Sequence, residues 1–258
     1  MELLVKKYAQ KLCDAGLSRK SGPFRPIVGG LDDVLVWNRT TRETRLLEPI
    51  FENLDINSLV CLFPGPPYDK IISFLAQEAL QNGGVILPRD CETRTFLHRL
   101  PVIKGLNPGP AIDRLKKSKA VIVAPENAQS GLDLPAIIAH GTVSPEQGFV
   151  SASSVCFACF VKFFTDYLEQ LAAGSVSKEM DHLFEVLRPG IEARVLPLPD
   201  LVKGPFSIPE HVYPAMIEAG RNLVNLGLVD SYFGNISYCL DQTLFISQTG
   251  SSLDELKG

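Results

Sequence analysis

Short apolar strands alternate with amphipathic helices along this chain, and Gly and Pro residues separate them. The runs AVIVA (120–124) and PAIIAH (135–140) are typical of buried strands, and residues 145–171 have the pattern of one long helix. The predicted order of elements is α-β-β-α-β-α-α-β-β-α. An order of this kind indicates a mixed α/β layer fold, with a sheet flanked by helices.

The N-terminal third is the least regular part of the pattern. Residues 2–16 carry apolar groups at helical spacing, and Gly16 ends the helix. We predict a strand over 31–38 (LDDVLVWN), a turn at NRTTRETR, and a second strand near Leu46–Leu47. The breaker PGPP (64–67) precedes a helix that begins near Tyr68. Further helices are predicted around 92–99, 109–118, 178–187 and 213–228, and a short strand at 84–87.

Composition excludes several classes of protein. The chain has 25 Lys and Arg against 29 Asp and Glu, a net charge of −4, without the basic excess of nucleic-acid binders. Charged residues and prolines interrupt the apolar stretches before the roughly 20 residues that a membrane span needs. The N-terminus lacks the apolar core of a secretory signal. We therefore expect a cytoplasmic protein that binds neither nucleic acid nor membrane.

Two local clusters have ordinary structural interpretations. Cys156 and Cys159 form a CxxC, but a zinc site would need a second pair or nearby His ligands at a typical spacing. We interpret them as small core residues on one helix face. Arg39, Arg42 and Arg45 form a basic patch in a predicted turn, which we interpret as solvated.

The chain resembles itself in two places. When Gly16-Leu17 is overlaid on Gly227-Leu228, the apolar positions of the two preceding helices agree. Gly29-Gly30 then corresponds to Gly234-Asn235, and each pair is followed by a strand. Many amphipathic helices end in Gly-Leu, so a common C-cap accounts for part of the match. Both a repeat and a shared capping motif stay open on this pattern.

Residues 226–256 carry a more specific pattern. GNIS at 234–237 is followed by SQTG at 247–250 and by Asp254-Glu255-Leu256. In this order the segment resembles the start of the class II aldolase/adducin superfamily, which includes fuculose- and rhamnulose-phosphate aldolases and ribulose-phosphate 4-epimerases. Family members have GNIS, then T-P-[ST]-G, then D-x-L. Here Gln248 replaces the proline of the second element.

The resemblance implies a phosphate-binding end formed by Asn235, Thr249 and Gly250. An amide, a hydroxyl and a glycine turn with free backbone N–H groups can together hold an anion. The alternative is that Gly234-Asn235 and Thr249-Gly250 are ordinary turns, because Asn and Gly are the standard turn residues.

The family's catalytic and metal residues are missing at the matching positions. The S-S-E glutamate and the H-x-H pair of a second copy would come after residue 258. In the first copy, Pro88 and Asp90 take the positions of H-x-H, His140 that of the third metal ligand, and Phe51 that of Gly250. The family uses a divalent metal, usually zinc. For this chain we predict no catalytic residue and no metal cofactor, because proline cannot bind a metal and too few ligands remain.

These points predict three segments. Residues 1–175 would form a degenerate aldolase-like α/β domain, residues 176–204 a Pro-rich connector, and residues 205–258 the incomplete start of a second copy. The family activity would be metal-dependent aldol cleavage or epimerisation of a phosphorylated sugar, and we expect little or none of it here. The alternative function is a non-catalytic, adducin-like scaffold. A phosphorylated sugar is the expected small-molecule partner, and a homo-oligomer is compatible with the pattern.

Overall fold

A computed structural model describes residues 1–125, 134–191, 199–229, 234–248 and 251–257. The chain divides into two units, Met1–Glu192 (unit 1) and Ala193–Gly258 (unit 2). Helix α7, which lies in the predicted connector, belongs to unit 1, because the Phe184 ring stacks on Tyr167 of the preceding helix at 4.1 Å between centroids.

Seven strands of the described part of unit 1 form one mixed sheet. They are β1 (Ile27–Leu31), β2 (Leu35–Trp37), β3 (Ser58–Leu62), β4 (Val85–Ile86), β5 (Leu100–Lys104), β6 (Ala120–Ala124) and β7 (Ala136–Gly141). Their order across the sheet is β2-β1-β3-β7-β6-β5-β4. β5 and β6 run parallel, and the other described neighbours run antiparallel.

Helices cover both faces of this sheet. They are α1 (Glu2–Asp14), α2 (Arg42–Asn53), α3 (Tyr68–Gln81), α4 (Cys91–Phe96), α5 (Pro108–Leu115), α6 (Pro145–Ala172) and α7 (Lys178–Ile191). α2 and α5 pack on one face, and α1, α3 and α6 lie on the other. This arrangement confirms the predicted mixed α/β fold with a sheet flanked by helices. That the fold includes an incomplete second copy stays a prediction.

Helix α6 is the central element of its face. Ser144 stands at the N-cap and Pro145 at the first turn, a common way to begin a helix. Cys156 and Cys159 are fully buried on it, as predicted for core residues. By length and composition alone α6 could cross a membrane, but 56% of its most apolar window is buried, as is usual for the central helix of a packed core.

Two N-terminal predictions are wrong. Residues 31–38 are not one strand, because Asp32–Val34 form the loop between β1 and β2. Leu46 and Leu47 lie in helix α2, not in a strand. Leu47, Ile50 and Phe51 follow helical spacing and are buried together, and this packing outweighs Pro49 inside the helix.

The prediction also missed two strands. β3 is buried along its whole length and pairs with both β1 and β7. Its apolar run stands directly before the PGPP breaker, so the breaker dominated the local pattern. β5 contains Pro101, which cannot donate a ladder hydrogen bond and therefore disguises a strand.

Unit 2 is smaller. Its described elements are α8 (Pro209–Asn225), β8 (Ser237–Leu240), β9 (Thr243–Ile246) and a 3-10 turn at Leu253–Glu255. β8 and β9 form an antiparallel hairpin around Asp241, whose φ of 52° lies in the left-handed region. Tyr213 of α8 packs edge-on against Phe245 of β9.

Candidate functional site

A reciprocal pair of hydrogen bonds joins the two strands of the unit 2 hairpin at the end away from its turn. The backbone N–H of Ile236 donates to the Ser247 hydroxyl at 3.0 Å. The backbone N–H of Ser247 donates back to the Ile236 carbonyl at 2.9 Å. Ser247 is 8% exposed, so this pair fixes the hairpin mouth from inside. We use "hairpin mouth" for such a reciprocal pair and the residues next to it.

Of the predicted phosphate-binding residues, Asn235 lies beside this mouth. Ser237 pairs with Ile246, so continuing the register through Ile236 and Ser247 places Asn235 opposite Gln248. Asn235 is exposed. The N–H of Ser251 donates to the Gln248 carbonyl at 3.0 Å. Thr249 and Gly250 lie outside the described residues, so their role at the site stays a prediction.

A groove runs beside the mouth, between α8, β9 and residues 251–257. Its volume is about 710 Å³. Met216 and Ile217 line one side, Leu244 and Ile246 another, and Ser252 and Glu255 add polar groups.

Segment 251–257 is held against α8 by a close backbone approach. Gly220 is buried where α8 meets Leu253, and a Cβ at this position would collide with the Leu253 carbonyl oxygen. The Ser252 hydroxyl donates to the Asp254 carboxylate at the start of the 3-10 turn. A glycine at residue 220 therefore permits the packing that forms one wall of the groove.

Unit 1 has a mouth of the same design. The N–H of Val28 donates to the Asn38 side-chain oxygen at 2.8 Å, and the N–H of Asn38 donates to the Val28 carbonyl at 2.9 Å. The Asn38 amide group also donates to the Pro26 carbonyl at 3.1 Å. In both hairpins a side-chain oxygen on the second strand takes the N–H of the first strand.

These hydrogen bonds correct the overlay of the two hairpins. Val28 corresponds to Ile236, so Ile27 corresponds to Asn235, and the proposed match of Gly29-Gly30 with Gly234-Asn235 is displaced along the strand. Counted along the sequence from Asn38 and from Ser247, the position equivalent to Gly250 is Thr41 rather than Phe51. Ile27 is fully buried. Unit 1 therefore has no exposed amide at the position that Asn235 occupies in unit 2.

The helices that lead into the two hairpins also end alike. Gly16 and Gly227 have φ of 71° and 66°, which glycine adopts without strain. The N–H of Leu17 donates to the Leu12 carbonyl at 3.1 Å, and the N–H of Leu228 donates to the Leu223 carbonyl at 3.0 Å. Both ends are Schellman caps, which are common in proteins.

Pro88, Asp90 and His140, the positions to which the sequence resemblance assigns metal ligands, do not converge on one point. His140 shares a sheet face with Ile138, and its ring Nε2 lies 3.3 Å from the Leu115 carbonyl of α5. Asp90 follows β4, three strands from β7, and caps α4 on the α6 side of the sheet. Three strand spacings are about 14 Å. Pro88 is buried and offers no ligand atom. Among the described residues, no three His, Cys, Asp or Glu side chains are grouped to hold a metal.

The side chains at these positions have structural contacts instead. The N–H of Thr93 donates to the Asp90 carboxylate at 2.6 Å. Arg89, between Pro88 and Asp90, lies 2.9 Å from Asp166 and 2.8 Å from Glu169 of α6. The Arg89 ion pairs tie the β4–α4 connection to α6. Sequence reasoning missed this cluster because its members are far apart in the chain.

Burial of the imidazole ring lowers the pKa of His140. The neutral imidazole is therefore favoured. Its Nδ1 is buried and has no hydrogen-bond partner among the described residues. A neutral, half-buried ring against the last turn of α5 is typical of a packing residue.

The basic patch predicted for a turn is divided in the structure. Arg39 lies between β2 and α2, and its guanidinium donates to the carbonyls of Pro23 and Arg25 at 3.0 and 3.4 Å. Arg42 and Arg45 are exposed on the first turns of α2. Arg39 therefore holds a loop, and the other two are solvated.

Comparisons with known proteins found a similarity in backbone structure. No protein-family model matches the sequence, and no curated protein matches it. Among solved structures, the chain is similar to L-fuculose-1-phosphate aldolase from Thermus thermophilus. The match has 10% identity and a TM-score of 0.49, and covers 68% of this chain and 97% of that one.

Proposed function

We propose that this chain is a class II aldolase/adducin-type protein that binds an anion weakly at the hairpin mouth of unit 2 and does not catalyse aldol chemistry. The observation that carries the proposal is the Ile236–Ser247 pair, which presents the exposed Asn235 opposite Gln248 in a GNIS segment. The ligand would be the phosphate of a sugar phosphate.

The chemistry of the mouth supports weak binding. Asn235 and the hydroxyls of this segment are neutral hydrogen-bonding groups, each worth about 1 kcal/mol net. The acidic groups on the 3-10 turn, Asp254 and Glu255, repel an anion rather than attract it. A few neutral hydrogen bonds correspond to a dissociation constant in roughly the millimolar range.

Three features of unit 1 support a non-catalytic scaffold there. Ile27 replaces the amide at the mouth, Pro88 and Asp90 replace a histidine pair, and Asp90 and His140 lie on different faces of the sheet. A metal that polarises a carbonyl needs several ligands converging on one point. We therefore propose that unit 1 has kept an enzyme-like architecture without its chemistry.

Titration with inorganic phosphate, followed by backbone amide chemical shifts of the full chain, tests the binding proposal. We expect shifts centred on Asn235 and Gln248, which the variant Asn235→Ala abolishes. Gln242→Ala, an exposed amide at the other end of the same hairpin, is the matched control and should keep the shifts. Shifts that cluster on Arg42 and Arg45, or an unchanged titration in Asn235→Ala, would contradict the proposal.

The non-catalytic part has its own test. Purified chain should contain substoichiometric zinc by elemental analysis, and should release no aldehyde from L-fuculose 1-phosphate when zinc is supplied. About one tightly bound zinc per chain, or cleavage that His140→Ala removes, would show that an aldolase-type site survives.

A further inference from the structure

The outer edge of β8 has backbone groups that are free to pair. Because Ile236 and Ser247 exchange two hydrogen bonds, alternate residues of the strand direct their N–H and C=O groups away from β9. These residues are Asn235, Ser237 and Cys239. Within the described residues, β9 is the single strand neighbour of β8.

Unit 1 contains a covered version of this edge. With Val28 in the place of Ile236, the outward residues of β1 are Ile27 and Gly29. They pair antiparallel with Cys61 and Leu59 of β3. The hairpin of unit 1 is thus extended by a strand on the edge that corresponds to β8.

The face of the unit 2 hairpin that carries Leu244 and Ile246 is also uncovered. Leu244 and Ile246 are 61% and 56% exposed. Their counterparts in unit 1 are Leu35 and Trp37, which pack on the core, with Trp37 edge-on to Phe51 at 5.7 Å between centroids. Segment 251–257 packs on α8 and leaves this face open.

The outer strands of the unit 1 sheet are shorter than β8, which has four residues. The outer strands of the unit 1 sheet, β2 and β4, have three and two residues. Short strands, charges and prolines are the usual means by which proteins prevent edge pairing. Residues 234–240 (GNISYCL) carry neither a charge nor a proline. An uncharged edge matches an uncharged strand.

We infer that the edge of β8 binds an extended, uncharged β-strand of a partner polypeptide, antiparallel to β8. The chemistry is that of Ser58–Leu62 (SLVCL), the strand that covers the corresponding edge in unit 1. Main-chain hydrogen bonds to Ser237 and Cys239 supply affinity, and alternate side chains supply specificity.

A peptide with the sequence of residues 55–63, extended by C-terminal lysines for solubility, is the probe. Added to the full chain without phosphate, it should shift the amides of residues 235–240 and protect those of Ser237 and Cys239 from exchange. In unit 1 the amides of Leu59 and Cys61 face β1, and those of Ser58 and Val60 face β7. N-methylation of Leu59 or Cys61 in the peptide should weaken its binding roughly tenfold or more, whereas N-methylation of Ser58 or Val60 should leave the affinity unchanged.

A pair of variants tests the edge from the protein side. Ser237→Pro removes one outward N–H and should abolish binding, while Ser237→Ala keeps the N–H and should bind as the parent does. Retained protection of the Phe245 and Ser247 amides from exchange verifies that the hairpin persists in Ser237→Pro. Binding that ignores N-methylation or Ser237→Pro would overturn the inference. So would a concentration-dependent dimer that Ser237→Pro dissociates, because a second copy would then occupy the edge.

Discussion

The two hairpins share their closing hydrogen bonds and differ in what covers them. In unit 1 the hairpin is enclosed by α2 on one face and by β3 along one edge. Unit 2 has the same reciprocal hydrogen bonds, but its Ile246 is exposed, whereas most of Trp37, at the corresponding position of unit 1, is buried. Local chemistry is therefore sufficient to form the hairpin mouth. The covering elements decide whether the hairpin becomes core or surface, and four paired experiments test that distinction.

The largest difference is expected at the covered face. Trp37→Ala should destabilise unit 1 by about 3 kcal/mol, because it removes a large side chain packed against Phe51. Ile246→Ala, at the corresponding position of unit 2, should cost about 0.5 kcal/mol or less, because the side chain is exposed. Urea unfolding followed by far-UV circular dichroism measures both. Equal losses would mean that the face of unit 2 is covered in solution.

A second effect concerns the segment after each hairpin. Counted from Gly16 and Gly227, Ala9 and Gly220 occupy the same helix position, and in α8 the backbone of Leu253 packs directly on this position. Gly220→Ala should cost about 2 kcal/mol through the collision with Leu253.

Gly190→Ala is its control, since a methyl group added at Gly190 would meet no atom within 4 Å. It should be neutral or slightly stabilising. Amide exchange of residues 251–257 separates the two variants. If Gly220→Ala leaves that exchange slow, the segment is not held by this contact.

A third pair compares the mouths themselves. Asn38→Ala removes the acceptor of the Val28 N–H and the donor to the Pro26 carbonyl, and should cost about 2 kcal/mol. Ser247→Ala removes one acceptor and no second hydrogen bond, and should cost about 1 kcal/mol. Thermal unfolding of both variants measures this order. The reverse order would show that the mouth of unit 2 carries more of its unit's stability than the number of hydrogen bonds lost predicts.

The smallest perturbation uses thiols as reporters. Cys61 lies on β3 beside β1, and burial raises its pKa to about 12, so its reactive thiolate is suppressed at pH 8. Cys239 on β8 is exposed. A thiol reagent added to the native chain should modify Cys239 and the exposed Cys91 rapidly, and Cys61 only after unfolding. Slow modification of Cys239, with Cys91 still fast, would indicate that the β8 edge is occupied.

Local sequence signals determined much of this protein. Gly16 and Gly227 mark two helix ends because a left-handed cap favours glycine. The apolar runs at 120–124 and 135–140 predicted strands that are in fact buried on both faces of the sheet. GNIS identified the place where a hairpin mouth forms.

Tertiary structure decided what local patterns could not. Leu46–Leu47 has the composition of a strand, and only packing of Leu47 with Ile50 and Phe51 makes it part of a helix. The separation of Asp90 and His140 by three strands follows from strand order, which no local signal encodes. Burial of Ile27 and exposure of Asn235 depend on elements distant in the chain, because burial free energy comes from long-range contacts.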